Sequence, residues 1–266
     1  MKDMDEKQIY KNILGMVDLT SLSSTDTCTK IAAMTTKVNR FHQAYPDYPL
    51  PASICVYPIF ARTVAATRSE EDVHVTVVGG CFPASQSTLP VKTAECAGAV
   101  EDGADEVDIV LALNAFLDND TARASEEIRE IGAAIRAIKP SVVLKVILET
   151  GALKEASLIE EASFLAMEAG ADFIKTSTGK LTPAATPEAA QVMCDCIRTY
   201  HQRTGRMVGF KPAGGITTPE EAMVYWNIVA DTLGEKWLDK RYFRFGASRM
   251  ANNLLSALEG REVKYY

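Results

Sequence analysis

Eight short apolar runs rich in β-branched and aromatic residues are spread along the whole chain, and the stretches between them carry a helical period. The runs are MVDLT (16–20), SICVYP (53–58), VHVTVV (73–78), DEVDIVL (105–111), VVLKVIL (142–148), DFIKTS (172–177), MVGFKP (207–212) and YFRFGAS (242–248). Their starts fall 20 to 37 residues apart, room for one strand, one return helix and two loops in each unit. No segment has the composition of an interdomain linker. The expected fold is a single (β/α)8 TIM barrel over residues 1–266, with an extra N-terminal helix at about 3–14. A doubly wound open sheet is the alternative. It normally uses fewer strands, and no GxGxxG follows the first run.

The intervening stretches have helical start and stop signals. In 155–169, Leu158, Ile159, Ala162, Leu165, Ala166 and Ala169 fall along one stripe, and Gly170 follows as a stop. In 121–138, Ile128, Ile131, Ile135 and Ile138 recur at steps of three and four, and Pro140 closes the segment. Thr186-Pro187-Glu188 and Thr218-Pro219-Glu220 each look like an N-cap with proline in the first helical position. The stretch YPDYPLPA (45–52) is a loop between a helix and a strand.

Composition narrows the function classes. With 47% hydrophobic and 24% charged residues, the chain can bury a core without disulfide staples, so its six cysteines (28, 55, 81, 96, 194, 196) need no pairing. Cys194 and Cys196, two apart in a helical stretch, point away from each other. A balance of 28 basic against 35 acidic residues gives a net charge of −7, which argues against nucleic acid as a partner. No apolar run reaches the roughly 18 residues of a membrane helix, and the polar start MKDMDEKQIY lacks a signal peptide's apolar stretch. A cytoplasmic protein without a membrane partner is expected. Three scattered histidines (42, 74, 201), no H-E-x-x-H and no C-x-x-C announce no metal site. Barrels of this size often pair through exposed helices, so a homodimer is within expectation.

Reacting groups in such a barrel sit at the C-terminal strand ends. Asp108 interrupts EVDIVL, Lys175 interrupts DFIKTS, Lys211 interrupts VGFKP, and Lys145 in VLKVIL makes a fourth. Burying an unpaired charge costs several kcal/mol, so each belongs to an ion pair, snorkels to the rim or does chemistry. One strand lysine alone would pass as structural. Charges on several strands of one barrel point toward catalysis. Glu149 is a candidate partner for Lys145 on the same strand face, and Glu106 shares the face of Asp108. Asp105 then faces the helix layer or a loop.

Two lysines and an aspartate suit metal-free aldol chemistry. A lysine amine attacks a carbonyl only when deprotonated, and both desolvation and a neighbouring ammonium favour that form. The resulting iminium accepts electrons from an adjacent C–C bond, while a carboxylate moves protons directly or through water. Neither a metal nor a cofactor is required. Gly-containing turns add a phosphate expectation: KPAGGITTPEEA (211–222) and FGASRM (245–250) lie at the seventh and eighth strand exits, and STGK (177–180) at the sixth.

The strings DEVDIV (105–110), LKVILETG (144–151), ADFIKTSTGK (171–180), VGFKPAGGI (208–216) and RFGAS (244–248) together resemble the deoxyribose-phosphate aldolase family. MVDLT and ICVYP match its first two strand motifs, and the resemblance runs from about residue 10 to the C-terminus. It implies a class I aldolase, a carbon–carbon lyase of deoxyribose phosphate breakdown. Such an enzyme reversibly cleaves 2-deoxy-D-ribose 5-phosphate to D-glyceraldehyde 3-phosphate and acetaldehyde. Lys175 matches the family's Schiff-base lysine, Lys211 the second lysine that depresses its pKa, and Asp108 the acid/base carboxylate acting through water. Gly179, Gly214, Gly215, Gly246 and Ser248 match phosphate-loop positions, and Lys180 a lysine near the substrate. Asp18, Thr20 and Cys55 look like pocket positions, and Tyr266 resembles a C-terminal tyrosine that helps proton exchange in some members.

Two departures stand out. Arg249 follows GAS where the family often has a second serine, and VVGGCFP (77–83) replaces an Asn-Phe-Pro-like turn. Without a histidine motif beside it, Cys55 reads as a small pocket-lining hydrophobe rather than a nucleophile. Two rival readings stay open: another Schiff-base aldolase or transaldolase with a different substrate, and a non-catalytic barrel that binds a sugar phosphate.

Overall fold

A computed structural model describes residues 5–266. The eight strands are β1 (Val17–Thr20), β2 (Ser53–Val56), β3 (His74–Gly79), β4 (Glu106–Val110), β5 (Val143–Ile147), β6 (Phe173–Lys175), β7 (Gly209–Lys211) and β8 (Phe245–Ala247). Each lies within one of the eight apolar runs or overlaps it by all but one residue. All pair in parallel, in the order β7-β6-β5-β4-β3-β2-β1-β8. Spatial order therefore follows chain order around a ring, which is the (β/α)8 barrel and excludes the doubly wound sheet.

The last seam closes by single bridges rather than a full ladder. Phe210 N–H donates to Tyr242 O (2.8 Å), Arg244 N–H to Phe210 O (3.1 Å) and Gly246 N–H to Pro212 O (3.0 Å). Three-residue strands at β6, β7 and β8 are shorter than the runs that contain them. After Lys175 side chains take over the contacts to the exit of β7, Ser177 Oγ donating to the Ala213 carbonyl and Thr176 Oγ1 accepting from Ala213 N–H (3.0 Å), and the ladder stops there.

The helices form where their signals stand. The extra helix spans Glu6–Leu14, and the expected start at residue 3 lies outside the described residues. Helices Thr121–Ile138 and Ala156–Glu168 match the periodic segments, and Gly170 turns left-handed after the second (φ 104°). Thr186 and Thr218 cap helices Pro187–Thr204 and Pro219–Leu233 as expected. Among the described residues, no helix is long and apolar enough to cross a membrane.

Strand alternation separates two interiors. Val75, Val77, Val107, Ile109, Leu144, Val146, Ile174 and Phe210 are buried and belong to the continuous apolar core that includes the helices. Burial there, at about 25 cal/mol per Å² of apolar surface, drives closure of the ring. The alternate positions Asp18, Ser53, Thr76, Glu106, Asp108, Lys145, Lys175 and Lys211 are equally buried but polar. The lumen is thus charged, where barrels of this kind more often fill it with branched apolar side chains.

Candidate active site

Asp108, on the inward face of β4, is the hub of the lumen. Its Oδ2 accepts from Lys175 Nζ at 2.8 Å and from Lys211 Nζ at 2.7 Å, and its Oδ1 accepts from Lys145 Nζ at 2.8 Å. Strand register brings the three lysines there. Lys145 lies directly opposite Asp108 across β4 and β5, and Lys175 opposite Lys211 across β6 and β7. Asp18 of β1 adds a second counter-charge for Lys211, an ion pair with Oδ2 at 2.5 Å from Nζ. Lys145 also pairs with Glu106 Oε2. Arg244, just before β8, donates to Asp18 Oδ1 (2.6 Å) and Glu106 Oε1 (2.8 Å).

These contacts differentiate the lysines. Burial works against charge on Lys211, yet Asp108 and Asp18 outweigh it and hold the ammonium above its ordinary range. Lys145 is raised in the same way, with Asp108 and Glu106 overcoming burial. Lys175 goes the other way. Burial lowers it, the like charge of Lys211 adds to that, and Asp108 only partly compensates. Asp108 itself is buried, but Lys145, Lys175 and Lys211 keep it ionised, well below the usual carboxylate range. Burial pushes the Cys55 thiol up, so it stays a neutral thiol beside the lysines.

A cavity of about 240 Å³ opens above Lys175. It is lined by the exits of the first and sixth strands (Thr20, Leu22, Thr178, Gly179, Lys180) and of the seventh and eighth (Ala213, Gly214, Gly246, Ala247, Ser248). Gly179 and Gly214 both have positive φ (73° and 81°), and a side chain at Gly214 would come within 2.9 Å of the Gly179 Cα. The two turns pack backbone against backbone at the cavity. The helix ends beside them differ. Helix Pro219–Leu233 caps itself, Thr218 accepting from the Glu221 amide and Glu221 from the Thr217 and Thr218 amides. Helix Arg249–Glu259 has Ser248 at its N-cap with no side-chain cap bond, leaving its first-turn amides available to an anion. Of the two strand exits expected to hold phosphate by a helix end, only the eighth therefore offers a free one.

The profile of the DeoC/LacD family aldolases matches residues 13–228. The chain belongs to that family. A Caenorhabditis elegans protein provisionally named deoxyribose-phosphate aldolase is 39% identical to the family member described here, over 97% of this chain and 84% of its own length. Among solved structures, an apo-form provisionally named deoxyribose-phosphate aldolase of Toxoplasma gondii superposes with a TM-score of 0.79 at 23% identity, covering 96% and 97% of the two chains. A Coccidioides immitis structure with the same provisional name gives a TM-score of 0.74 at 26% identity, covering 91% of this chain and 85% of its own.

In this DeoC/LacD aldolase, most of the residues singled out in the sequence converge. Lys175, Thr20, Gly179, Lys180, Gly214, Gly246 and Ser248 line the cavity, and Asp108, Lys211 and Asp18 join Lys175 beneath it. Cys55 is buried within electrostatic reach of Lys211, Asp108 and Lys175. Lys180 donates from Nζ to the Leu22 carbonyl (2.6 Å), tying the first and sixth strand exits together. Gly215 continues the Gly214 turn with φ 83° but is exposed and does not line the cavity. Tyr266 is not brought to the cavity. Its ring stacks on Phe41 (5.6 Å) and its backbone is held by Asn252.

Three expectations about neighbours change or sharpen. Glu149 is not the partner of Lys145. The chain turns left-handed at Glu149 (φ 54°), which ends strand alternation, and its carboxylate accepts instead from Thr178 N–H (3.1 Å) and Oγ1 (2.5 Å). Lys145 is fully buried and does not snorkel; Glu106 and Asp108 take it. Asp105 does leave the lumen, pairing with Arg68 and Lys139. Arg244 is the lumen residue that escapes a reading of the sequence, although it interrupts the apolar run YFRFGAS as the lysines interrupt theirs.

Proposed function

We propose that this aldolase reversibly cleaves 2-deoxy-D-ribose 5-phosphate to D-glyceraldehyde 3-phosphate and acetaldehyde through an imine on Lys175. The observation that carries the reading is the sharing of one oxygen, Asp108 Oδ2, by two lysines of which only Lys211 has a second close carboxylate. Lys175 is the one that can become a free amine, and it borders the cavity.

The amine of Lys175 adds to the C1 aldehyde of the open-chain sugar, and loss of water from the carbinolamine gives the iminium. A base then takes the proton of the C3 hydroxyl. The C2–C3 bond breaks, its electrons enter the iminium to form an enamine, and C3 leaves as the aldehyde of glyceraldehyde 3-phosphate. Protonation at C2 and hydrolysis release acetaldehyde and restore Lys175. Asp108, ionised in the resting site, accepts a proton through water, and the Lys211 ammonium beside it is the adjacent proton source. The free amides after Ser248, the Gly179 and Gly214 turns and Lys180 suit the 5-phosphate at the cavity mouth.

Borohydride reduction in the presence of acetaldehyde, followed by peptide mass mapping, tests the assignment. The expected product is an ethyl group on the Lys175 amine. An adduct on Lys211 or Lys180 overturns the roles, and no adduct on folded protein overturns the imine chemistry. Undiminished cleavage of deoxyribose 5-phosphate in EDTA is expected as well.

A further inference from the structure

Beneath the reacting lysines lies a second tier of charge. Arg244, 3% exposed, bridges Asp18 Oδ1 (2.6 Å) and Glu106 Oε1 (2.8 Å). Asp18 passes the contact up to Lys211, and Glu106 passes it to Lys145 and so to Asp108. Phe173 covers both cations, its ring centroid 5.9 Å from Lys145 Nζ and from the Arg244 guanidinium carbon. Glu106 is further held by Thr76 Oγ1 (2.9 Å) and faced by His74 Nδ1 (2.7 Å) from the half-exposed outer side of the lumen. Neither Glu106 nor Arg244 lines the cavity.

Among the described residues, this cluster, with His74 at its edge on Glu106, joins four buried cations (Lys145, Lys175, Lys211, Arg244) to three buried carboxylates (Asp18, Glu106, Asp108). With all three lysines charged and the three carboxylates ionised, these seven side chains carry one uncompensated positive charge in a buried lumen, which is costly. Releasing one proton makes them neutral. Arg244 cannot supply that proton. Lys211 is held by Asp18 and Asp108, and Lys145 by Glu106 and Asp108. Lys175, faced by Asp108, Lys211 and the neutral Cys55, has a single shared acceptor oxygen, so its proton leaves most easily.

We infer that Glu106 and Arg244 are positioning residues that set the charge balance of the lumen and thereby the pH at which the Lys175 amine becomes free. The inference rests on the reading of Lys175 as the imine-forming residue. Each member of the pair then acts with its own sign. Removing the negative charge of Glu106 leaves a larger positive excess and makes Lys175 easier to deprotonate. Removing the positive charge of Arg244 makes the protonated cluster neutral and Lys175 harder to deprotonate. A purely structural strut predicts loss of activity in both, with no opposed shifts.

The test is the acid limb of kcat/KM against pH for deoxyribose 5-phosphate, in protein checked for fold by circular dichroism. Glu106→Gln, which keeps the side-chain shape, is expected to move the limb to lower pH by about one unit, and Arg244→Met to higher pH by about one unit, a tenfold rate change at fixed pH on the limb. The double variant returns toward the parent, and Arg244→Lys leaves the limb in place. Limbs that do not move, or that move in the same direction, overturn the inference. If one single variant fails to fold, the direction of the other decides. If both fail, His74→Lys, which places a fixed charge on the outer side of Glu106, must move the limb to lower pH, and an unmoved limb counts against us. Acetaldehyde trapping on the parent separates the two levels: an adduct on Lys175 with unmoved limbs sinks the charge-setting role alone, whereas no adduct sinks the imine reading beneath it.

Discussion

At the scale of single residues, one carboxylate oxygen serving two ammonium groups leaves them unequal, because Lys211 reaches Asp18 as well and Lys175 does not. The consequence for pH has a definite sign. Lys175 attacks only as the neutral amine, and its ammonium is held below the ordinary lysine value of 10.5 by burial and then by Lys211. Activity therefore falls as pH drops through that lowered value, and the limb lies at lower pH than a solvated lysine would give. Substitution separates chemistry from stability. Lys175→Leu removes the amine, so turnover drops on the order of 10⁴-fold or more. It also removes the surplus cation, so the melting temperature is expected to hold or rise. Asp108→Asn strips three lysines of their shared acceptor and is expected to cost about 3–5 kcal/mol of stability along with activity. Comparing the two melting curves checks the pair, and a Lys175→Leu protein as unstable as Asp108→Asn would contradict the charge count. Asp108, Lys175 and Lys211 were legible because a charge inside an apolar strand is expensive and so conspicuous. The partner of Lys145 was not, because Glu106 reaches it across the sheet while Glu149, its neighbour in sequence, has already left the strand.

At the scale of elements, the register of β6 on β7 places Phe173 opposite Gly209 and Lys175 opposite Lys211. Small faces large one step below the lysine pair: a side chain at Gly209 would come within 2.4 Å of the Phe173 ring that covers Lys145 and Arg244. Gly209→Ala is expected to cost about 1–3 kcal/mol by overpacking and to lower the melting temperature by several degrees. A thermal scan checks it, and an unchanged midpoint would falsify the close fit. Higher up, Gly214 sits at φ 81° with Ala184 Cβ and Gly179 Cα within 2.9 Å of where a methyl group would be. Gly214→Ala pushes the two turns apart. It should raise KM for deoxyribose 5-phosphate by roughly tenfold while kcat/KM for unphosphorylated 2-deoxyribose changes little, since about 1.4 kcal/mol of lost phosphate contact is tenfold in affinity. Helix ends were legible in advance where capping is local, as at Thr186 and Thr218. The uncapped start after Ser248 was not, because nothing in the string FGASRM says that the serine hydroxyl leaves the helix amides alone.

At the scale of the whole molecule, strand spacing sufficed for the ring, since eight strand runs each followed by helical chain have few ways to pack. What spacing could not carry is the seam between β7 and β8, made of isolated bridges around Phe210 and Ala213, or the division of burial into an apolar shell and a charged lumen. That division fixes how the fold responds to acid. Asp18, Glu106 and Asp108 are buried, which alone would raise them, but the surrounding lysines and Arg244 hold all three below their ordinary values of 3.8, 4.5 and 3.8. A folded-state pKa below the unfolded one means the unfolded chain binds more protons in that interval, so stability is present in full above about pH 5 and is lost progressively as pH falls from the unfolded values toward the lowered folded ones. Three carboxylates in one cluster lose it together, because the unfolded chain takes up all three protons while the native lumen, where each carboxylate is the counter-charge of a lysine or Arg244, resists them. Urea midpoints measured from pH 7 to pH 3 are therefore expected to stay nearly level down to about pH 5 and then to drop steeply, with the slope below pH 4.5 set by more than one proton. A midpoint that stays level to pH 3 would mean that the lumen carboxylates bind protons in the native barrel as they do in the unfolded chain, and the lysines and Arg244 would then not be holding them ionised.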